Sequence, residues 1–203
     1  MFVSNNVCKR TSRIAGCRFS VHPMSDDFVN VILSALDEVD TSKVWLETDD
    51  VSTCVRGKIA HVFDVTEAIF TYAAKTGHHV AFSGTYSIGC PGDTDGDVYM
   101  AEDDRKLNTP TDINQYAACD FALYPLGSDS YMDQIMEQIE AAKQRGLTVE
   151  GIHYATKLKG AAAHIFTTLE NAFAETQEHN AHVVMTASIS ANSPSHQKEA
   201  GHE

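Results

Sequence analysis

An internal duplication constrains this chain more than any other feature. Gly16-Cys-Arg-Phe-Ser-Val-His-Pro23 and Ala118-Cys-Asp-Phe-Ala-Leu-Tyr-Pro125 carry apolar residues at alternate positions. Each ends in a proline, which cannot continue a central strand, and leads into helix-start residues. The match goes on: Thr53, Gly57, His61 and Phe63 recur as Thr156, Gly160, His164 and Phe166, each 103 positions later. Phe70 and Phe173, His79 and His182, Ser87 and Ser190, and Pro91 and Pro194 keep that separation, whereas Phe19 and Phe121 lie 102 apart. One residue was therefore gained early in the second copy. A solenoid unit runs to about 20–50 residues, so this repeat describes two domains instead. At about 80 to 90 residues each, the halves bury modest cores and are expected to pack on each other or on a second chain.

Hydrophobic periodicity gives both copies the order βαββαβ. In the first, a strand at 16–23 precedes a helix capped by Ser25, with Phe28, Val31, Ile32, Ala35, Leu36 and Val39 inward. Strands at 44–48 and 51–56 flank the turn Asp49-Asp50, a helix runs from about 60 to 76, and a strand covers 79–88. The second copy gives a strand at 118–125 and a helix at about 129–145 with Tyr131, Met132, Ile135, Met136 and Ile139 inward. Strands at 147–151 and 153–159, a helix at about 161–178 and a strand at 181–191 complete the unit. The fold class is α+β: tandem ferredoxin-like domains, antiparallel sheets with helices on one face. The expected division is repeat 1 at 11–92, a linker at 93–116 and repeat 2 at 117–195. Val21, Val55, Val80, Phe82, Leu123, Val183 and Met185 read as drawn from both sheet faces, which predicts sheet-against-sheet packing or dimerisation. Residues 1–12 and the tail from Ser193 lack any apolar period and read as loosely ordered.

Charge narrows the partners. With 28 acidic and 15 basic residues the formal net charge is −13, which repels a phosphate backbone and argues against nucleic acid. Five cysteines without a CxxC pair argue against both a disulfide framework and a zinc clip. Cys17 and Cys119 read as small apolar strand residues. No apolar run of signal-peptide or membrane-spanning length occurs, so a cytoplasmic location is expected, without membrane insertion.

The search for catalytic chemistry returns little. Asp93-Thr-Asp95-Gly-Asp97 opens like a calcium loop, but Val98 stands where the glycine belongs and the bidentate Glu is missing, so it reads as a solvated turn. The ten histidines include no HxxxH or HExxH frame, and His61 and His164 read as helix-start capping or polar contacts. No GxSxG elbow, P-loop or dinucleotide fingerprint is present. The expectation is no catalytic residue, no metal and no cofactor.

What stands out is polar content on the first and third strands of each unit. Ser20 and His22 on the first strand, with Ser52 and Thr53 on the third beside the Asp49-Asp50 turn, are echoed by Tyr124, His153, Tyr154 and Thr156. A few convergent donors and acceptors can orient a small, mostly apolar ring in each half.

Several blocks carry a family resemblance: Thr11-Ser-Arg-Ile-Ala-Gly16, Pro23-Met-Ser-Asp-Asp-Phe28, His61-Val-Phe-Asp64, Ser87-Ile-Gly-Cys-Pro-Gly-Asp-Thr94, Phe121-Ala-Leu-Tyr-Pro125 and Ser190-Ala-Asn-Ser-Pro194. Together they resemble the YkoF family of thiamin- and hydroxymethylpyrimidine-binding proteins over about residues 11 to 195. The resemblance implies a homodimer, one pyrimidine site per repeat and a role beside a transporter for a thiamin precursor. It implies ligand contacts at Val21 and Thr53, and at Leu123 with Ala155 or Thr156. Ser20, Ser52 and Asp50 join them as candidates from their polarity, and the acidic turn predicts tighter binding of cationic thiamin in the first repeat. Two rival functions stay open: a small-molecule enzyme on the same fold, and a metabolite-sensing regulatory module.

Overall fold

The computed structural model describes residues 14–90, 100–108, 113–126 and 131–199. The expected order appears twice. Repeat 1 consists of β1 (Ala15–Pro23), α1 (Phe28–Asp37), β2 (Trp45–Thr48), β3 (Thr53–Gly57), α2 (Ile59–Ala74) and β4 (Val80–Ile88). Repeat 2 consists of β5 (Tyr116–Leu126), α3 (Tyr131–Gln144), β6 (Thr148–Ile152), β7 (Ala155–Ala161), α4 (Ala162–His179) and β8 (His182–Ala191), and a short α5 (Pro194–Glu199) comes after it.

The two half-sheets do not stack. They join edge to edge through antiparallel β4 and β8, giving one eight-stranded sheet in the order β2-β3-β1-β4-β8-β5-β7-β6. At the middle of that seam Gly84 lies opposite Ala187, its own counterpart in the duplication. A local twofold therefore passes through this pair. The aromatic core obeys it: Phe63 meets Phe173 at 6.0 Å between ring centroids, and the symmetry-related pair, Phe166 and Phe70, meets at 5.8 Å. The four helices line one face, with α2 and α4 in contact at the centre and α1 and α3 outside them.

Strand alternation sorts the side chains by face. Cys17, Phe19, Val55, Val80, Phe82, Leu123, Val183 and Met185 are buried towards the helices, and Val21, opposite Phe82, packs against the same core. The expectation that these residues come from both faces is thus corrected. The opposite face carries Arg18, Ser20, His22, Ser83, Thr85 and Ser87 on β1 and β4. The expected sheet stacking does not occur within the chain, because the edges of β4 and β8, whose backbone groups must be paired, join the two half-sheets side by side.

Further expectations are adjusted. Phe28 is 50% exposed and Met136 57% exposed, so neither is inward, while Val31 and Ala35 carry the burial of α1. Tyr131, Met132 and Ile135 lie where side chains are outside the description. The second hairpin turns at His153-Tyr154, because Ile152 pairs with Ala155 and Tyr154 takes φ 67° with 98% exposure. The tail forms α5, where His196 stacks on Tyr116 at 4.0 Å. Residues 1–13 and 91–99, including Asp93-Thr-Asp95-Gly-Asp97, lie outside the described residues.

Unlike an ordinary amphipathic surface helix, α2 is buried almost all round. The sheet lies beneath it, α1 and α4 flank it, and residues 100–108 of the connection lie against it as a strap. Asp64 accepts hydrogen bonds from Leu107 N (3.0 Å), Asn108 N (3.2 Å) and Asn108 Nδ2 (2.9 Å). Asn108 also donates through Nδ2 to Asp40 O and accepts from Asp40 N. Lys43 and Lys58 pair with Asp103 and Asp104. His61, 1% exposed beneath this region, has no hydrogen-bond partner on either ring nitrogen among the described residues, which corrects its reading as a polar contact. Burial, with Lys43 and Lys58 nearby, holds its pKa down.

These packing features can be probed at two residues. Gly89 takes φ 79°, and a β-carbon there would stand 1.8 Å from the carbonyl oxygen of Ala181. Gly89→Ala is expected to destabilise by about 2 kcal/mol or more through strain and collision, read as a lower denaturant midpoint. Glu67 on α2 is held up to about 7, chiefly by burial, with Lys106 lowering it and Asp64 and Glu170 raising it. A folded-state value above the unfolded one means that stability is fullest below the ordinary carboxylate range and is lost as pH rises towards 7. Glu67→Gln is therefore expected to stabilise at pH 8 by about 2 to 4 kcal/mol and to change little at pH 4, which melting curves at the two pH values check.

Candidate functional site

The open face of repeat 1 holds a concave site of about 540 Å3, within the usual range for small-molecule pockets. Its origin is a missing side chain. On β1, Gly16 lies directly between Arg56 of β3 and Ser87 of β4. A β-carbon at Gly16 would come no closer than 3.5 Å to Arg56 Cγ, so the position tolerates a side chain sterically and simply lacks one. One pleat further, Arg18 lies between Cys54 and Thr85. These residues, with Cys17, Ile88 and Cys90, line the pocket.

Among the described residues, the two charged ones that line the pocket are arginines, and each is braced. Arg18 Nη1 donates to Asp49 Oδ2 at 2.9 Å and to Ser52 Oγ at 3.0 Å. Asp49 is itself fixed as the acceptor of the Val51 and Ser52 backbone N–H groups, at 2.8 and 2.9 Å through Oδ1. These bonds and the guanidinium hold its carboxyl down to about 2. The same hydrogen bond from Arg18 raises the guanidinium's pKa, so this cation is permanent. The guanidinium carbon of Arg56 stands 5.5 Å from the centroid of the Trp45 ring, a cation–π contact that fixes its plane.

The thiols differ. Cys17 and Cys119 are buried as expected, and burial raises both thiols well above their ordinary values. Cys54 is half-buried and Cys90 exposed, and none of these four is in a disulfide. Among the described residues no group of His, Cys, Asp or Glu is arranged to hold a metal ion.

The candidates chosen from sequence fall on two faces. Ser20 and Ser52 are at the rim of the open face: Ser20 Oγ donates to Val51 O at 3.2 Å, and Ser52 holds Arg18. Asp50 is exposed in the turn between β2 and β3. Val21 and Thr53 belong to the helix-facing side, where Thr53 lies opposite Phe19 and its hydroxyl is 3.0 Å from that of Thr48. In repeat 2, Leu123 is a core residue and Thr156 lies opposite buried Phe121, while Ala155 pairs with Ile152 beside the hairpin turn. The structure thus places Ser20 and Ser52 on the open face, Ser52 bonded to Arg18, leaves Asp50 exposed in the adjoining turn while Asp49 makes the contact to Arg18, and separates all three from Val21 and Thr53.

Sequence reasoning missed Gly16, Arg18, Arg56, Thr85 and Ser87. The signal was available in the alternation Gly16, Arg18, Ser20, His22, which marks a polar face two residues in period. The duplication also shows why repeat 2 differs. Ala118 stands in place of Gly16, between Lys159 and Ser190, and Asp120 in place of Arg18. Ala118 carries a methyl where Gly16 has no side chain, Lys157 Nζ reaches Asp120 at 3.7 Å, and the Ser190 hydroxyl is 2.9 Å from His79 Nε2.

Comparison with known proteins agrees with this two-part organisation. The model of the YKOF-related family matches twice, at residues 14–93 and 116–196. A Bacillus subtilis (strain 168) protein provisionally named HMP/thiamine-binding protein YkoF is 50% identical over 187 residues, covering 91% of this chain and 94% of that protein. Among solved structures, a hypothetical protein from Methanocaldococcus jannascii matches 42% of this chain and 95% of its own length, with 22% identity and a TM-score of 0.37. A Streptococcus pneumoniae protein matches 36% of this chain and 83% of its own, with 19% identity and a TM-score of 0.32. The double family match and the near full-length relative place the sequence: this chain belongs to the YKOF-related family.

Proposed function

We propose that this protein binds a small pyrimidine-bearing molecule of the thiamin and hydroxymethylpyrimidine class and releases it unchanged. One observation carries the reading: 50% identity, over nearly the whole of both chains, to a relative named for binding those compounds. The pocket of repeat 1 adds physical support. Its volume accommodates a heteroaromatic ring with its substituents, its floor at Gly16 leaves room for a flat group, and the hydroxyls of Thr85 and Ser87 can donate to ring nitrogens or accept from an exocyclic amine.

A cytoplasmic homodimer working beside a precursor transporter completes the proposal. No helix among the described residues is long and apolar enough to cross a membrane. The open sheet face, eight strands wide, offers an area on the scale of a stable interface, roughly 800 Å2 per partner. A second copy seated there would also cover the pocket mouth. Val21, Thr53, Leu123 and Thr156, on the other side of the sheet, fit this proposal as residues that set the strand positions.

Calorimetric titration with hydroxymethylpyrimidine and thiamin, with mass analysis of the recovered ligand, tests the reading. Binding with intact recovery is expected, and Gly16→Leu, which fills the pocket floor, is expected to weaken it by about tenfold or more. Conversion of the ligand would turn the reading towards an enzyme, and unchanged binding by Gly16→Leu would move the ligand out of this pocket.

A further inference from the structure

The charge of the pocket selects within the ligand class just proposed, and this selectivity rests on that reading. Among the described residues, Arg18 and Arg56 are the charged ones that line the pocket, and none of the described lining residues is a carboxylate. Thiamin carries a positive thiazolium, which two guanidiniums disfavour at close range. The tighter binding of cationic thiamin expected of repeat 1 from its acidic turn is not carried forward, because Asp49 of that turn is engaged by Arg18. An uncharged hydroxymethylpyrimidine offers the guanidiniums no anionic acceptor. A phosphate monoester of that alcohol supplies one, since a guanidinium is planar and pairs with phosphate through two parallel N–H bonds. Hydroxyl donors are needed for the remaining phosphate oxygens, and Ser87 and Thr85 stand beside Gly16 and Arg18 on β4.

We propose that the repeat 1 pocket is selective for the phosphate ester of the pyrimidine alcohol, with the phosphate held by Arg56, Ser87 and Thr85 and the ring over Gly16. The bracing fits this role. Arg56 lies against the Trp45 ring and Arg18 is tied to Asp49 and Ser52, so both cations are positioned before any ligand arrives. Preorganised side chains lose less entropy on binding than mobile ones. The net charge of −13 opposes an approaching anion only at long range, where salt screens it beyond about 8 to 10 Å. Contact with a guanidinium decides the outcome. Repeat 2 keeps a cation, Lys159, and the hydroxyls of Ser188 and Ser190 at the matching positions, but Asp120 replaces Arg18, Ala118 replaces Gly16 and the Ser190 hydroxyl is already within hydrogen-bond distance of His79, so the ester preference is expected to be weaker there.

The test is calorimetric titration of the full chain with hydroxymethylpyrimidine, its monophosphate and inorganic phosphate, at low and high salt. The monophosphate is expected to bind at least about tenfold tighter than the alcohol, with the advantage shrinking at high salt. Arg56→Gln is expected to reduce that ratio to about threefold or less, and Arg56→Lys to restore part of it. Should Arg56→Gln fail to melt as a folded protein, the double variant Thr85→Val with Ser87→Ala is expected to lower the same ratio. Equal affinities for ester and alcohol would overturn the selectivity while leaving the pyrimidine reading intact. No binding of either would end both. An ester preference untouched by the Arg56 and hydroxyl variants would place the anion elsewhere and overturn the assignment. Inorganic phosphate binding as tightly as the ester would do the same, since the ring would then contribute nothing.

Discussion

The antiparallel pairing of β4 with β8 is the interaction on which the rest of this structure depends. It satisfies two edges that would otherwise expose backbone donors and acceptors, and it fixes the halves in one register, Val80 opposite Ala191 through Ile88 opposite Val183. Once that register is set, α2 and α4 have to meet above the seam, and the Phe63, Phe70, Phe166 and Phe173 rings meet in symmetric pairs. The two modest cores thereby become one. Among the described residues the helices of both repeats pack on the other face, so the pocket arises on the open surface of the sheet and not in a crevice between domains.

Most of the architecture was legible in the sequence because it is written in local periods. Alternation marked the strands, helical spacing marked α1 to α4, and the repeated offset fixed the duplication. The edge-to-edge joining was not legible, since backbone pairing between β4 and β8 leaves no signature in side-chain pattern. Nor was the burial of α2 on all sides, because that depends on the strap held by Asp64 and Asn108. Phe28 and Met136 fit a helical stripe and are still exposed, because a stripe wider than the contact leaves its margins in water.

The site was half legible for a related reason. Polarity drew attention to Ser20 and Ser52, and both lie at the rim of the open face beside Arg18. Val21 and Thr53 were grouped with them by strand membership, yet a one-residue step along a strand turns a side chain to the other face. The feature that creates the concavity is an absence, the side chain Gly16 does not have, and residue chemistry alone does not advertise it. Its partners Arg56 and Ser87 are 40 and 71 positions away and converge only through register.

The local twofold at Gly84 and Ala187 has an evolutionary consequence. A lone βαββαβ unit with the same exposed edge would make this sheet by pairing with a copy of itself, an isologous contact that obliges every substitution to occur on both sides of the axis. Fusion of two units in one polypeptide lifts that obligation. Gly16 and Ala118, or Arg18 and Asp120, could then diverge one at a time while the seam between them stayed symmetric. Gly89 and Asn192, counterparts in the duplication, record the same freedom: both keep a left-handed backbone, but only Asn192 has a side chain, which donates to the carbonyls of Ala74 and His78. Gene fusion thus let one half specialise while its twin served as scaffold.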